Sequence, residues 1–294
     1  MAQPPNKLVL KPGVIYGYLS NFNPTGDNEC FQFTDVECSS QELESLAKSM
    51  DEVKDAVRID FSNNGIADIV SMKDLNRIVH LNLANNRIKN ASVFAQEECF
   101  LTLKWLDISL NKFTEFPAIK CPRLEYLNIT GNKLEKVNEG FTGHENLRKL
   151  VAVDNRFKSL APFKVMPKLE EIYLAQNNIT TLSGWEQLPM LRILHLRRNK
   201  IDKIDEELPP LDELVQINLR NNGIKDMENA VRLFQWPKVE DLNLINNPVE
   251  RDASSLEVLM AEFMIKKPGL KRFCKQIATE EMQLHAVYQA QYLF

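Results

Sequence analysis

The sequence predicts an α/β solenoid, made by stacking one short strand-and-turn unit many times, and three observations predict it. One phrase, L-x-x-L-x-L-x-x-N-x-L with apolar variants at the Leu positions, recurs nine times. Its asparagines are Asn64, Asn86, Asn111, Asn132, Asn155, Asn177, Asn199, Asn222 and Asn247, at separations of 22, 25, 21, 23, 22, 22, 23 and 25 residues. The inner L-x-L of each phrase has the period of a short strand, with two side chains turned inward and their neighbours outward. A fixed period in this range is the signature of a leucine-rich-repeat horseshoe, here of about nine repeats of 21–25 residues.

The template holds along the chain. The second repeat reads Ile78-x-x-Leu81-x-Leu83-x-x-Asn86-x-Ile88, and the seventh Leu191-x-x-Leu194-x-Leu196-x-x-Asn199-x-Ile201. Ala56 opens the first repeat, and Ala152 replaces the second strand Leu in the fifth. The asparagine falls where the chain must turn and leave backbone groups without ladder partners. A side-chain amide offers both donors and an acceptor to satisfy them. A single repeat cannot bury its apolar side, so stacking supplies the core.

Four segments follow. Residues 1–55 form an N-terminal extension and helical cap, in which Ser39-Ser40-Gln41-Glu42 reads as the start of a helix over about 40–50. The solenoid spans 56–250. In the sixth repeat Ile179, Leu182, Trp185, Leu188 and Leu191 recur every three residues, which suits 3-10 or short helical convex segments. Residues 251–275 form a C-terminal cap, with an amphipathic helix over Ala253–Lys266 and a final half-repeat at Pro268–Phe273. Residues 276–294 read as a helical tail.

Composition narrows the function. With 36 basic and 40 acidic residues the net charge is −4, so no pervasive positive field points to nucleic acid. No run of about 18 apolar residues suggests a membrane span, and MAQPPNKLVLKPG lacks the charged-then-apolar pattern expected of a signal peptide. Cys30, Cys38, Cys99, Cys121 and Cys274 are scattered and odd in number, unlike the clustered cysteines of secreted solenoid caps. They read as reduced thiols of a cytoplasmic protein. His80, His144, His195 and His285 make no metal motif, and no phosphate loop or nucleophile elbow is present. The expectation is a non-enzyme with no cofactor, metal or small-molecule substrate.

Arg58-Ile59-Asp60-Phe61 fits a docking motif read by type-1 protein phosphatase. Ile59 and Phe61 are also the inward positions of the first repeat, which favours the core. The outward strand positions are the useful surface. Along them Trp105, Tyr126, Val151, Tyr173, Ile193 and His195 form a stripe bordered by Arg197, Arg198 and Arg220. Trp, Tyr and Arg most often carry interface energy, so these nine are the expected concave partner-binding residues. In the tail Leu284, Tyr288 and Tyr292 recur at helical spacing before Phe294, giving a second candidate contact.

The phrases Cys121–Leu134 (CPRLEYLNITGNKL), Leu169–Ile179 (LEEIYLAQNNI), Leu194–Ile201 (LHLRRNKI), Ile217–Ile224 (INLRNNGI) and Pro237–Val249 (PKVEDLNLINNPV) resemble the leucine-rich repeat-containing protein 23 family. The cap at Pro268–Phe273 and the acidic helix after it continue the likeness. Residues 1–55 fall outside it, as does the charged extension that animal members carry after the cap. The resemblance implies a non-catalytic scaffold of the radial spoke in the axoneme of motile cilia and flagella, a cytoskeletal site. It also implies other radial spoke proteins as partners in a multi-subunit complex. An axonemal dynein-associated leucine-rich light chain, a cytosolic phosphatase-regulatory adaptor and a spliceosomal leucine-rich subunit are the alternatives.

Overall fold

The computed structural model describes residues 17–24, 31–137, 141–161, 163, 165–185 and 188–291. The chain divides into two compact units, residues 1–151 and 152–294. Each is a leucine-rich-repeat solenoid.

In the first unit the strands are β1 (Leu19–Pro24), β2 (Phe31–Glu37), β3 (Arg58–Asp60), β4 (His80–Asn82), β5 (Trp105–Asp107), β6 (Glu115–Phe116), β7 (Tyr126–Asn128), β8 (Lys136–Val137) and β9 (Lys149–Val151). Strands β2, β3, β4, β5, β7 and β9 pair in parallel, so that Val36, Ile59, Leu81, Leu106, Leu127 and Leu150 stand in one register row. That row is buried, as is the second inward row of Cys38, Phe61, Leu83, Ile108 and Ile129. A strand can be three residues long because only its middle residue must reach the core. β1 closes the unit by pairing antiparallel with β2, and β6 pairs with β8 in a separate two-stranded ribbon.

The N-terminal helix expected over about 40–50 does not form. Ser40 and Glu42 take φ of 57° and 55°, a left-handed backbone that no α-helix accommodates. They sit instead in a full solenoid turn, Phe33-x-x-Val36-x-Cys38-x-x-Gln41-x-Leu43, with glutamine in the asparagine position. Asn64 accepts hydrogen bonds from the Gln41 and Leu43 amides at 2.9 and 3.0 Å and donates to the Cys38 carbonyl at 2.8 Å. The helical piece comes later, as a 3-10 segment at Ala47–Val53. The repeats therefore begin inside the segment assigned to the cap.

The second unit carries β10 (Glu171–Tyr173), β11 (Ile193–His195), β12 (Gln216–Asn218), β13 (Asp241–Asn243), β14 (Arg272–Phe273) and β15 (Gln276–Ile277). Ile172, Leu194, Ile217, Leu242 and Phe273 form its inward row. Its helices are α1 (Met227–Val231), α2 (Pro248–Arg251), α3 (Leu256–Lys266) and α4 (Glu280–Gln291). Ser255 caps α3 by accepting from the Val258 amide, and Leu259, Met260, Phe263 and Met264 bury its inner face. β15 folds back antiparallel on β14. This hairpin consumes Gln276 and Ile277, so the tail helix starts at Glu280. The sixth-repeat convex segment is not a 3-10 helix among its described residues, although Ile179, Leu182, Trp185, Leu188 and Leu191 are all buried. A period of three also fits an extended threefold chain, and spacing alone does not separate the two.

Within each unit the repeat asparagines tie one turn to the turn before it. Asn111 donates to the Leu83 and Ile108 carbonyls at 2.9 and 3.2 Å and accepts from the Ile88 amide at 3.0 Å. Asn199 repeats this in the second unit with Leu174, Leu196 and the Ile179 amide, and Asn247 with Leu219, Leu244 and the Ile224 amide. The residue before each asparagine is left-handed: Asn63, Asn85, Leu110 and Gly131 in the first unit, and Asp154, Gln176, Arg198, Asn221 and Asn246 in the second. At Gly131 (φ 66°) a Cβ would also overlap Leu110 Cδ2, which lies over it.

Two outcomes follow for stability. Asn111→Ala and Asn199→Ala each orphan two carbonyls and an amide, so urea unfolding should show a loss of about 2–4 kcal/mol for either. Leu110→Asn should be neutral or stabilising, because asparagine tolerates the left-handed backbone better than leucine, whereas Gly131→Ala should cost about 1 kcal/mol or more in the same assay.

Candidate partner-binding surface

Within each unit the outward strand residues fall into two rows with different roles. In the first unit the leading row is Arg58, His80, Trp105, Tyr126 and Lys149. Trp105 and Tyr126 occupy matched positions on β5 and β7 and stack with ring centroids 5.1 Å apart and planes 4° from parallel. His80 continues the row at 6.1 Å from Trp105. The pair is half-buried by its neighbours and turned away from the core. Burial and the nearby Asp107 carboxylate raise the Tyr126 pKa, so its hydroxyl stays a donor at neutral pH. Beside the stack, Arg58, Asp60, His80, Asn82, Trp105 and Glu37 line an open hollow of about 350 Å³.

The following row in the first unit does structural work that the repeat pattern alone did not disclose. Asn82 donates to Asp60 at 2.8 Å, and Asn128 donates to Asp107 at 2.8 Å. The remaining oxygens of Asp60, Asn82, Asp107 and Asn128 accept the amides two residues on, those of Ser62, Ala84, Ser109 and Thr130. These side chains hold the chain as it leaves each strand. The alternation of Asp and Asn at one position in successive repeats is the signal that could have found them. Val151, the fifth member of this row, offers an apolar side chain instead and is half-buried.

In the second unit Ile193 is half-buried in the leading row, and Tyr173 and His195 stand side by side in the following row. Their rings lie 5.1 Å apart at 50°, and the Tyr173 hydroxyl donates to Glu171 at 3.0 Å. Asn218 Oδ1 accepts from the Arg220 amide, which aims its Nδ2 group at His195 Nε2, 3.2 Å away. His195 Nε2 is therefore the acceptor, and the neutral ring carries its proton on Nδ1. Burial, then the Arg197 charge, lowers the His195 pKa and favours this neutral form. Arg197 and Arg220 are half-buried and Arg198 is exposed.

Arg58-Ile59-Asp60-Phe61 is not a free docking motif in this fold, because Ile59 and Phe61 are core and Asp60 holds a strand exit. In the tail helix, Ala286 is buried and α4 packs on α3, while Leu284 and Tyr288 are 72% and 56% exposed. Tyr292 and Phe294 lie outside the described residues, as does Cys30. Cys38, Cys99, Cys121 and Cys274 are free and buried, and burial pushes the Cys121 thiol up to about 12. Among the described residues no group of three His, Cys, Asp or Glu side chains is placed to hold a metal ion. No described helix is long and apolar enough to cross a membrane.

Known proteins match both the repeat and its order. A family profile described as Leucine rich repeat matches residues 145–201. The solved TLR13-ssRNA13 complex has a similar fold, with a TM-score of 0.60 at 22% identity, over 79% of this chain and 36% of that one. The chain is thus a leucine-rich-repeat protein. Among curated relatives it is similar to leucine-rich repeat-containing protein 23 of Homo sapiens, 30% identical over 78% of this chain and 64% of that protein. The Bos taurus protein of the same name is 26% identical over 78% of this chain and 64% of its own length. Tsukushi of Gallus gallus is 25% identical over 79% of this chain and 59% of that protein. The chain spans less than two thirds of the length of each of these relatives.

Acid should loosen this surface. His80, His144 and His195 all have pKa values lowered by burial, so the unfolded chain binds protons more readily and stability falls as pH drops through the ordinary value of about 6.5. The urea midpoint should be lower at pH 5.5 than at pH 7.5. His195→Gln, which keeps an acceptor facing Asn218, should reduce that difference.

Proposed function

We propose that this chain is a non-catalytic scaffold subunit of the radial spoke in the axoneme of motile cilia and flagella. It holds partner spoke proteins on the outward faces of its strands and on its C-terminal helix. The observation that carries a binding role is the parallel stack of Trp105 on Tyr126. Two large aromatic rings on outward, half-buried strand positions stand apart from the core row behind them. Such rings anchor interfaces.

The second unit offers Tyr173, Ile193 and His195, and α4 offers Leu284 and Tyr288. Contacts at several separate places raise the effective concentration of each for its partner. A subunit that must stay attached under cyclic bending benefits from that arrangement. The spoke assignment itself rests on the resemblance to leucine-rich repeat-containing protein 23, supported by the human and bovine relatives of that name. The absence of any catalytic grouping in the sequence agrees with a scaffold.

The test is retention of the tagged chain in axonemes of ciliated cells extracted with increasing salt. Retention together with spoke proteins is expected, and the double variant Trp105→Ala/Tyr126→Ala should wash out at lower salt, with affinity about thirtyfold weaker, since two anchors of about 1 kcal/mol each are lost. Its unfolding transition should remain cooperative. A soluble pool bound to a phosphatase, a dynein motor or splicing factors would replace the spoke reading. Full retention of the folded double variant would remove the aromatic stack from the interface.

A further inference from the structure

We infer that the arginine cluster of the second unit, Arg197, Arg198 and Arg220, receives a carboxylate-rich segment of a partner protein. This rests on the scaffold reading and specifies the chemistry of one contact.

The cluster is built by the repeat. Arg197 and Arg220 follow the second inward leucine of consecutive turns, Leu196 and Leu219, and so occupy equivalent positions one strand spacing apart. Arg198 joins them through its backbone amide, which donates to the Arg220 carbonyl at 2.9 Å. Three arginines therefore occupy neighbouring chain positions just past β11 and β12. The neighbouring turns put only uncharged residues at the same two positions: Ala175 and Gln176 before, Ile245 and Asn246 after. Equivalent positions in the first unit, Ser62 to Thr130 and Asn63 to Gly131, hold no cation either.

The ion pairs recorded in the second unit use Arg232, Lys238, Lys271 and Arg272. Among the described residues none reaches the cluster. Arg220 spends its Nε on the neutral Asn221 side chain at 3.1 Å. Arg197 Nε is buried and has no acceptor among the described residues, a donor that folding has left unsatisfied. Like charges on neighbouring positions repel, and an incoming anion relieves that repulsion. His195, kept neutral beside them, adds a stacking surface and no competing charge. A guanidinium fork matches a planar carboxylate with two parallel hydrogen bonds, and a run of Asp or Glu spaces such groups along an extended chain.

The experiment measures fluorescence anisotropy of a labelled octaglutamate peptide with the full chain. Three proteins are compared: wild type, the triple variant R197Q/R198N/R220Q, and a control triple K104Q/K120Q/K136Q drawn from paired surface lysines of the first unit. Asparagine suits the left-handed backbone at Arg198, and circular dichroism checks that each variant is folded. The expected result is binding that weakens with salt, reduced about tenfold in the arginine triple and unchanged in the lysine control. Equal loss in both triples, or no binding by wild type, overturns the inference. A triphosphoserine peptide preferred about tenfold or more over octaglutamate overturns the carboxylate assignment. In axonemes, wild-type and arginine-triple chains retained alike would overturn this contact and leave the scaffold standing. Loss of peptide binding in the triple, with wild type absent from axonemes, would support the contact and remove the spoke.

Discussion

The repeat asparagine is the interaction on which the rest of this structure depends. Its amide stands in a turn where two carbonyls and one backbone N–H have no strand partner, and it satisfies all three while linking successive turns. Asn247 is fully buried in doing so. Leaving such groups unpaired is expensive, so the side chain's shape fixes the spacing between turns within each unit. The short parallel strands, the left-handed residue before every asparagine and the inward leucine rows all follow from that spacing. The outward positions carry no such demand, which is why function has room there.

Most of the fold was legible because asparagine and the inner L-x-L appear together at nearly constant intervals. The N-terminal turn was missed because Gln41 replaces the marker residue and Cys38 replaces a leucine. Its geometry nevertheless matches, with Val36 in register with Ile59. Ser39-Ser40 then looked like a helix cap because local chemistry favours one. The hydrogen bonds from the Gln41 and Leu43 amides to Asn64, more than twenty residues away, override that local preference. Similarly, Gln276 and Ile277 were assigned to the tail helix, but the exposed edge of β14 recruits them as a strand. These misses share one cause: contacts between turns outweigh propensity within a segment.

The candidate surface was only half legible. Outward residues were identifiable by alternation, yet alternation treats every outward position alike. The structure separates them. Asp60, Asn82, Asp107 and Asn128 are bound to one another and to the next turn, so changing them disturbs folding. Trp105 and Tyr126, one step earlier on their strands, take no part in that network and touch chiefly each other's faces. His195 belongs to both groups, since it stacks on Tyr173 and accepts from Asn218. A substitution there mixes a binding effect with a folding effect, whereas the Trp105–Tyr126 pair gives a cleaner readout.

The position before each asparagine bears on the arginine cluster. Its left-handed backbone suits Asn, Asp and Gly, and those residues fill it at Asn63, Asn85, Gly131, Asp154, Asn221 and Asn246. The other occupants are Leu110, Gln176 and Arg198. Leu110 lies over Gly131 but is itself largely exposed. Arg198 is exposed and makes no ion pair or side-chain hydrogen bond among the described residues. Folding alone would favour asparagine there by up to about 1 kcal/mol. Next to it, Arg197 keeps a buried donor without an acceptor. Two adjacent residues thus each carry a cost, one in backbone conformation and one in a buried donor. Strain tolerated at a surface position points toward use, and the exposed Arg198, next to Arg197 and Arg220, offers a positive charge that suits an anion.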